Sequence, residues 1–235
     1  MPGVPPSSYR RTVTTAQHER TGSGLRLAGA GLWLLPLYAL LLTLSTLTHE
    51  PDHAEAFDDW SRYVTTDIFL VNHIVGSILG AALGLVGIVS ALLYLVRGPA
   101  AGIATVATAL TIVGNVLFTG LFAAAAFAQP AIGRAFLAGR EGAEALYDEV
   151  YGTPLFITFG IGAVCFLAGA VLFGRAVART SETLRLAGWG YGVALVLFVV
   201  SGFTVSVVQP VFAALACAAA VLIALRLPGA VEPVR

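Results

Sequence analysis

Five stretches of this chain, residues 27–47, 68–96, 101–128, 154–177 and 188–225, carry a single charged residue between them, Arg175 near the end of the fourth. At ~1.5 Å per helical residue, each is long enough to cross the ~30 Å hydrocarbon core of a bilayer. The fifth is too long for one crossing, and Gln209-Pro210 interrupts it, so it divides into two helices over about 188–207 and 210–226. The expected fold is an all-α membrane protein, a six-helix bundle over residues 25–227. Its helices span about 27–47, 68–96, 101–128, 154–177, 188–207 and 210–226.

Composition excludes the soluble alternative. Hydrophobic residues make up 57% of the chain and charged residues 11%, against roughly 45–50% and 25% in an average soluble domain. So few charges cannot cover a globule of 235 residues with a hydrated shell. Residues 1–24 are rich in Pro, Gly, Ser, Thr and Arg without an apolar period, which predicts a flexible cytoplasmic tail, and 228–235 form a second, short one. The first apolar run is too long for a signal-peptide core and no small-x-small site follows it, so it is retained, with Pro36 as a kink. Thr66 and Asp67 suit the N-terminus of the second helix, Pro130 is expected to close the third, and residues 131–150 have the mixed period of a short surface helix.

The charges assign the sides. All thirteen basic residues are Arg, a usage that points to a GC-rich bacterial genome. Ten of them, Arg10, Arg11, Arg20, Arg26, Arg97, Arg175, Arg179, Arg185, Arg226 and Arg235, fall on one side of the expected bundle, and Arg62, Arg134 and Arg140 on the other. By the positive-inside rule the first side is the cytoplasm, which puts both termini there and the protein in the cytoplasmic membrane. Ten of the thirteen acidic residues lie in the outer segments. The lipid bilayer is the expected partner, and nucleic acid is not indicated.

Several features could carry chemistry. In the second run, Asn72, Gly76, Gly80, Gly84, Gly87 and Ala91 repeat at three or four residues and so share one stripe. Small residues let helix backbones approach closely in lipid, where apolar burial supplies no drive. Packing within the chain is the first expectation for this stripe, and a homo-oligomer or another membrane protein the second. In the third run Thr108, Thr111, Asn115 and Thr119 lie on one face, Asn115 near mid-membrane. An interhelical hydrogen bond is the expected role of that amide, and a polar path for a small solute is the alternative. No Asp, Glu, Arg or Lys stands at mid-membrane, which counts against a proton-coupled pump or ion carrier.

Gly188, Gly190 and Gly192 do not follow a strand or match a dinucleotide fingerprint, and are expected to pack. Cys165 and Cys217 sit inside apolar runs and read as small packing residues. Gln-Pro recurs at 129–130 and 209–210, but the flanking register does not, so no internal repeat is inferred.

The segment His49-Glu50-Pro51-Asp52-His53 matches H-E-x-x-H. That zinc-peptidase pattern works only on an unbroken helix, which presents both His on one face, and Pro51 is expected to break it. What survives is a looser set, His49, His53 and His73 near the outer boundary with nearby carboxylates, which could ligate zinc or another divalent metal. No other cofactor is implied. The function expected from the sequence is that of a non-catalytic accessory, scaffold or sensing protein. Small-solute transport along the third helix and an outer-face metal protein or metalloenzyme are the alternatives.

Overall fold

A computed structural model describes residues 24–48 and 50–231. Residues 1–23 of the first expected tail, 232–235 of the second and His49 lie outside the described residues, whereas 228–231, expected in the second tail, are helical. Among the described residues the secondary structure is helical throughout, and six helical segments are long and apolar enough to cross a membrane.

The first, α1 (Gly24–Ser45), is interrupted at Trp33. Pro36 explains the break, because its ring nitrogen cannot donate to the carbonyl four residues back, and Trp33 bonds in a tighter i−3 pattern to Ala30 O at 3.2 Å. A short outer helix, α2 (Phe57–Val64), leads to the second span, α3 (Asp67–Leu95). Thr66 caps it as expected, accepting from the Phe69 N–H at 3.3 Å. Within α3, Asn72–Leu79 is wound as a π-helix.

The third span, α4 (Ala101–Leu137), corrects one expectation: it passes through Pro130 rather than ending there. Its 37 residues extend ~55 Å, well beyond the hydrocarbon core. The extension is kept helical by what it touches, since Ile132 and Gly133 are buried against α2. A Cβ on Gly133 would lie 2.9 Å from the Ser61 carbonyl oxygen and 2.8 Å from Val64 Cγ2. Helix α4 ends in a Schellman pattern, with Gly139 N–H to Phe136 O at 2.8 Å and Arg140 N–H to Ala135 O at 3.0 Å. Gly139 at φ +69° supplies the left-handed residue this closure needs. The surface helix expected over 131–150 is thereby reduced to α5 (Ala143–Val150).

The remaining spans are α6 (Thr153–Ala178), α7 (Glu182–Gly202) and α8 (Gln209–Val231), the last entered through a 3₁₀ turn at Ser206–Val208. Helix α7 starts about two turns earlier than the apolar run suggested and stops five residues short of 207. Its polar first turn, with Glu182 and Arg185, belongs to the helix although hydropathy assigns it to a loop.

The six spans form a ring in chain order, each packed on the next, and α8 closes the ring on α1. Small residues make the contacts close. A Cβ on Gly174 would lie 2.5 Å from the Gly188 carbonyl oxygen, and one on Gly192 2.8 Å from the Ala170 carbonyl oxygen, so two of the three clustered glycines seat α7 on α6. Gly76, Gly84 and Gly87 face Ser45, Tyr38 and Leu35 of α1, so the stripe is an intramolecular interface. Gly80 is the loose member, with 3.6 Å to Tyr38 and Leu41. Cys165 and Cys217 are both free, and the Cys217 thiol donates to the Pro36 carbonyl at 3.4 Å.

One half of the ring is dense. Leu32, Leu35, Leu95, Phe173, Leu184, Tyr191 and Leu227 are all fully buried there. A second, smaller core of Trp60, Val64, Phe69, Ala125 and Ile132 lies under α2 at the opposite, acidic end.

Candidate functional site

At that acidic end the centre of the ring is hollow. A cavity of about 820 Å³ opens there, and every one of the six spans contributes to its wall. The volume falls within the roughly 300–1,000 Å³ of small-molecule sites. On α3 the lining runs from Asn72 and His73 to Ser77, ten positions from Asp67.

The wall has two chemistries. One side is aromatic: Phe118 and Phe122 of α4 and Phe159 of α6 lie with Phe198 of α7 and Phe203 just beyond its end. The Phe118 and Phe159 ring centroids are 4.8 Å apart, and those of Phe159 and Phe203 are 5.6 Å apart. The other side is polar. Thr48 Oγ1 accepts from Tyr63 Oη at 3.0 Å and from Asn72 Nδ2 at 2.8 Å. Glu50 Oε1 accepts from Trp60 Nε1 at 2.8 Å, and Gln209 Nε2 donates to Phe198 O at 3.2 Å.

His73 Nδ1 lies 3.0 Å from the Phe69 carbonyl oxygen. A carbonyl can only accept, so Nδ1 carries the proton, and in the neutral ring Nε2 is an acceptor. Tyr63, Asn72, His73 and Gln209 therefore each spend a donor inside the protein. The wall keeps acceptors in Asn72 Oδ1, Gln209 Oε1 and His73 Nε2, and donors in the second amide N–H of Asn72 and of Gln209 and in the hydroxyls of Thr48, Ser77 and Ser206.

Local winding positions this polar side. The π-helical stretch carries Asn72, His73 and Ser77, all three on the cavity. Wider helical turns are uncommon and concentrate at functional sites. Gly76, on the same stretch, is pressed against Ser45 of α1 and has no room for a Cβ. The outer helices brace the mouth through an aromatic cluster in which Trp60 packs edge-on to Tyr147 at 5.1 Å and Tyr147 stacks on Tyr151 at 4.6 Å. Gln129 Nε2 donates to Tyr151 Oη at 2.7 Å. On α2, Asp58 accepts from Arg62 Nε at 2.9 Å and Nη2 at 2.8 Å, bonds that raise the guanidinium pKa.

The polar face of α4 lies deeper. Thr108, Thr111 and Asn115 are buried, and Thr119 is half-buried. Asn115 Nδ2 donates to Thr111 O at 3.1 Å, a bond within its own helix rather than across to another. Thr111 Oγ1 is buried with no partner. Beside these two residues is a void of about 10 Å³, bordered also by Tyr38, Phe166 and Tyr191 and close to the minimum for one water. It is separate from the large cavity. Tyr38 and Leu42, Asn115 and Phe118, and Leu195 and Phe198 border the two spaces in turn, so about one helical turn divides them. Phe118, on the large cavity, stacks at 5.8 Å on Phe166, on the small one.

The metal-ligand set is not assembled among the described residues. His53 packs on Tyr147 at 4.1 Å and lies 3.7 Å from the Asp52 carboxylate, whereas His73 packs on Phe69 at 4.2 Å. No three of the described His, Cys, Asp and Glu residues group to hold an ion. His49 lies outside the described residues. Glu50, Pro51 and Asp52 are not helical, as Pro51 requires, and Asp52 Oδ1 instead accepts from the Ala54 N–H at 2.8 Å.

Of the two expected metal ligands among the described residues, His73 lines the cavity and His53 does not. The aromatic wall escaped sequence reading because phenylalanines in apolar helices do not announce whether they face lipid, core or cavity. The available signal was the pair Phe118 and Phe122, one helical turn apart on α4. Compared with known proteins, the chain matches no family model, no curated protein and no solved structure.

Proposed function

We propose that this is a multi-pass protein of a bacterial cytoplasmic membrane, with both termini inside, that binds a small amphipathic ligand in an outward-facing vestibule and serves as a sensing or accessory protein rather than as a catalyst. The orientation rests on the arginine asymmetry. The observation that carries the functional reading is the cavity lined by all six spans, aromatic on one side and polar on the other. Such a wall suits a ligand with an apolar or aromatic body and a hydroxyl or amine head, which the carbonyl oxygens and second N–H groups of the Asn72 and Gln209 amides and the Nε2 of His73 can meet. Among the described wall residues no nucleophile is hydrogen-bonded to a base that would activate it, which favours binding over catalysis.

The test is thermal unfolding of the purified protein with phenethylamine and benzyl alcohol as probes. The proposal expects the wild type to gain several degrees, and Ser77→Leu and Leu121→Trp, which fill the cavity from two neighbouring helices, to lose that gain. No shift in the wild type, or the same shift in all three proteins, would contradict it.

Solute transport remains the second reading, favoured by the void that continues the cavity axis beyond Phe118 and Phe166. On that reading, Phe118→Ala reconstituted in vesicles admits glycerol faster than the wild type.

A further inference from the structure

At the opposite end of the bundle, the connection between α6 and α7 forms a groove of about 490 Å³. Three arginines line it: Arg175 and Arg179 from the end of α6, and Arg185 from the first turns of α7. The one carboxylate in the groove, Glu182, lies 3.6 Å from Arg185, which leaves two guanidiniums without an acidic side chain beside them in the groove. Ser181 adds a hydroxyl. The apolar edge of the groove is Trp189, 42% exposed on a helix flank that the bundle does not cover. Arg226 of the neighbouring α8 reaches the same region, donating through Nη1 to the Thr183 carbonyl at 3.1 Å.

We propose that this groove binds the phosphate of an anionic phospholipid of the cytoplasmic leaflet. Guanidiniums favour phosphate because their fixed forks match its oxygens two at a time. An indole prefers the headgroup level, where its ring meets acyl chains and its N–H meets water. A soluble phosphate would use the arginines alone. The lipid uses the arginines and the exposed indole together, which is why the lipid is the assigned source. Basic pockets between spans on this side of a membrane are the usual geometry for such headgroups.

The experiment uses the full chain in vesicles of phosphatidylcholine mixed with phosphatidylglycerol, bromine being carried on the acyl chains of one lipid or the other to quench nearby indoles. The chain has three tryptophans, so Trp33→Phe with Trp60→Phe leaves Trp189 as the reporter. Quenching is expected to be stronger when phosphatidylglycerol carries the bromine. Arg175→Gln with Arg179→Gln should erase that preference, each charge near an anionic surface being worth roughly fivefold in affinity. Equal quenching by the two lipids overturns the proposal. So does a preference abolished by added inorganic phosphate, which would assign the groove to a soluble ligand.

Native mass spectrometry of the protein with its natural tryptophans provides a check independent of the background substitutions. Phosphatidylglycerol should stay bound to the wild type and to Arg134→Gln with Arg140→Gln, and leave Arg175→Gln with Arg179→Gln. Equal retention by all three overturns the proposal.

Discussion

At the scale of single residues, two neighbours on α4 separate close packing from polar bonding. Asn115 is the most polar side chain near mid-membrane, yet its amide bonds the Thr111 carbonyl of its own helix. Replacement by leucine should therefore cost little, within about the 0.6 kcal/mol typical of a hydrogen bond in a membrane bundle. Gly114, with no polar group to lose, is the sensitive position. A Cβ there lands on the backbone nitrogen of Phe166, which cannot move aside as a side-chain end can. Gly114→Ala should cost about 1–3 kcal/mol, the usual penalty for overpacking. Unfolding in detergent by added denaturant would measure both, and a larger loss in Asn115→Leu than in Gly114→Ala would contradict the assignment. Periodicity revealed the α3 stripe but not which glycines on it are tight. Gly87 is set against the Leu35 backbone, with 3.0 Å to its nitrogen, while Gly80 has ordinary space, and that difference depends on the crossing of α1, which no spacing within α3 encodes.

At the scale of elements, hydropathy located the spans well because the bilayer permits little else than a long apolar helix. It misplaced the ends where tertiary contacts outweigh local preference. Pro130 lacks the donor that an α-helix needs, and an interior proline costs roughly 3 kcal/mol, but α4 continues because Ile132 and Gly133 bury against α2. Likewise the π-helical winding of Asn72–Leu79 left no mark that an apolar-period reading could detect. Docking of α2 on the α4 extension is thus a local, separable event. Gly133→Leu should detach it, since the new side chain meets Val64 and the Ser61 carbonyl. The expected outcome is faster trypsin cleavage at Arg62 with little change in the unfolding temperature of the bundle, as for a region that opens on its own. Unchanged cleavage, or collapse of the whole fold, would show that α2 is not so held.

At the scale of the whole molecule, the ring of spans is dense at its basic end and hollow at its acidic end. The asymmetry is a packing choice rather than a consequence of membrane thickness. Alanine and glycine seat the helices closely around Phe173 and Tyr191, whereas phenylalanines at the other end line a space they do not fill. The division of the bundle into a basic and an acidic end was legible in the arginines and acids, but the cavity was not, because it arises from which faces of six helices turn inward together. The account stands on that cavity being open to the outside. In a chain with Cys165→Ala and Cys217→Ala, single cysteines at Ala54, Ser77, Ser90 and Gly98 can be challenged in intact cells with a membrane-impermeant thiol reagent. The account predicts rapid labelling at 54, slower but clear labelling at 77 through the vestibule, and none at 90 in the dense half or at 98 on the cytoplasmic side. Labelling at 98 would contradict the orientation, and a position 77 as silent as position 90 would contradict the vestibule itself.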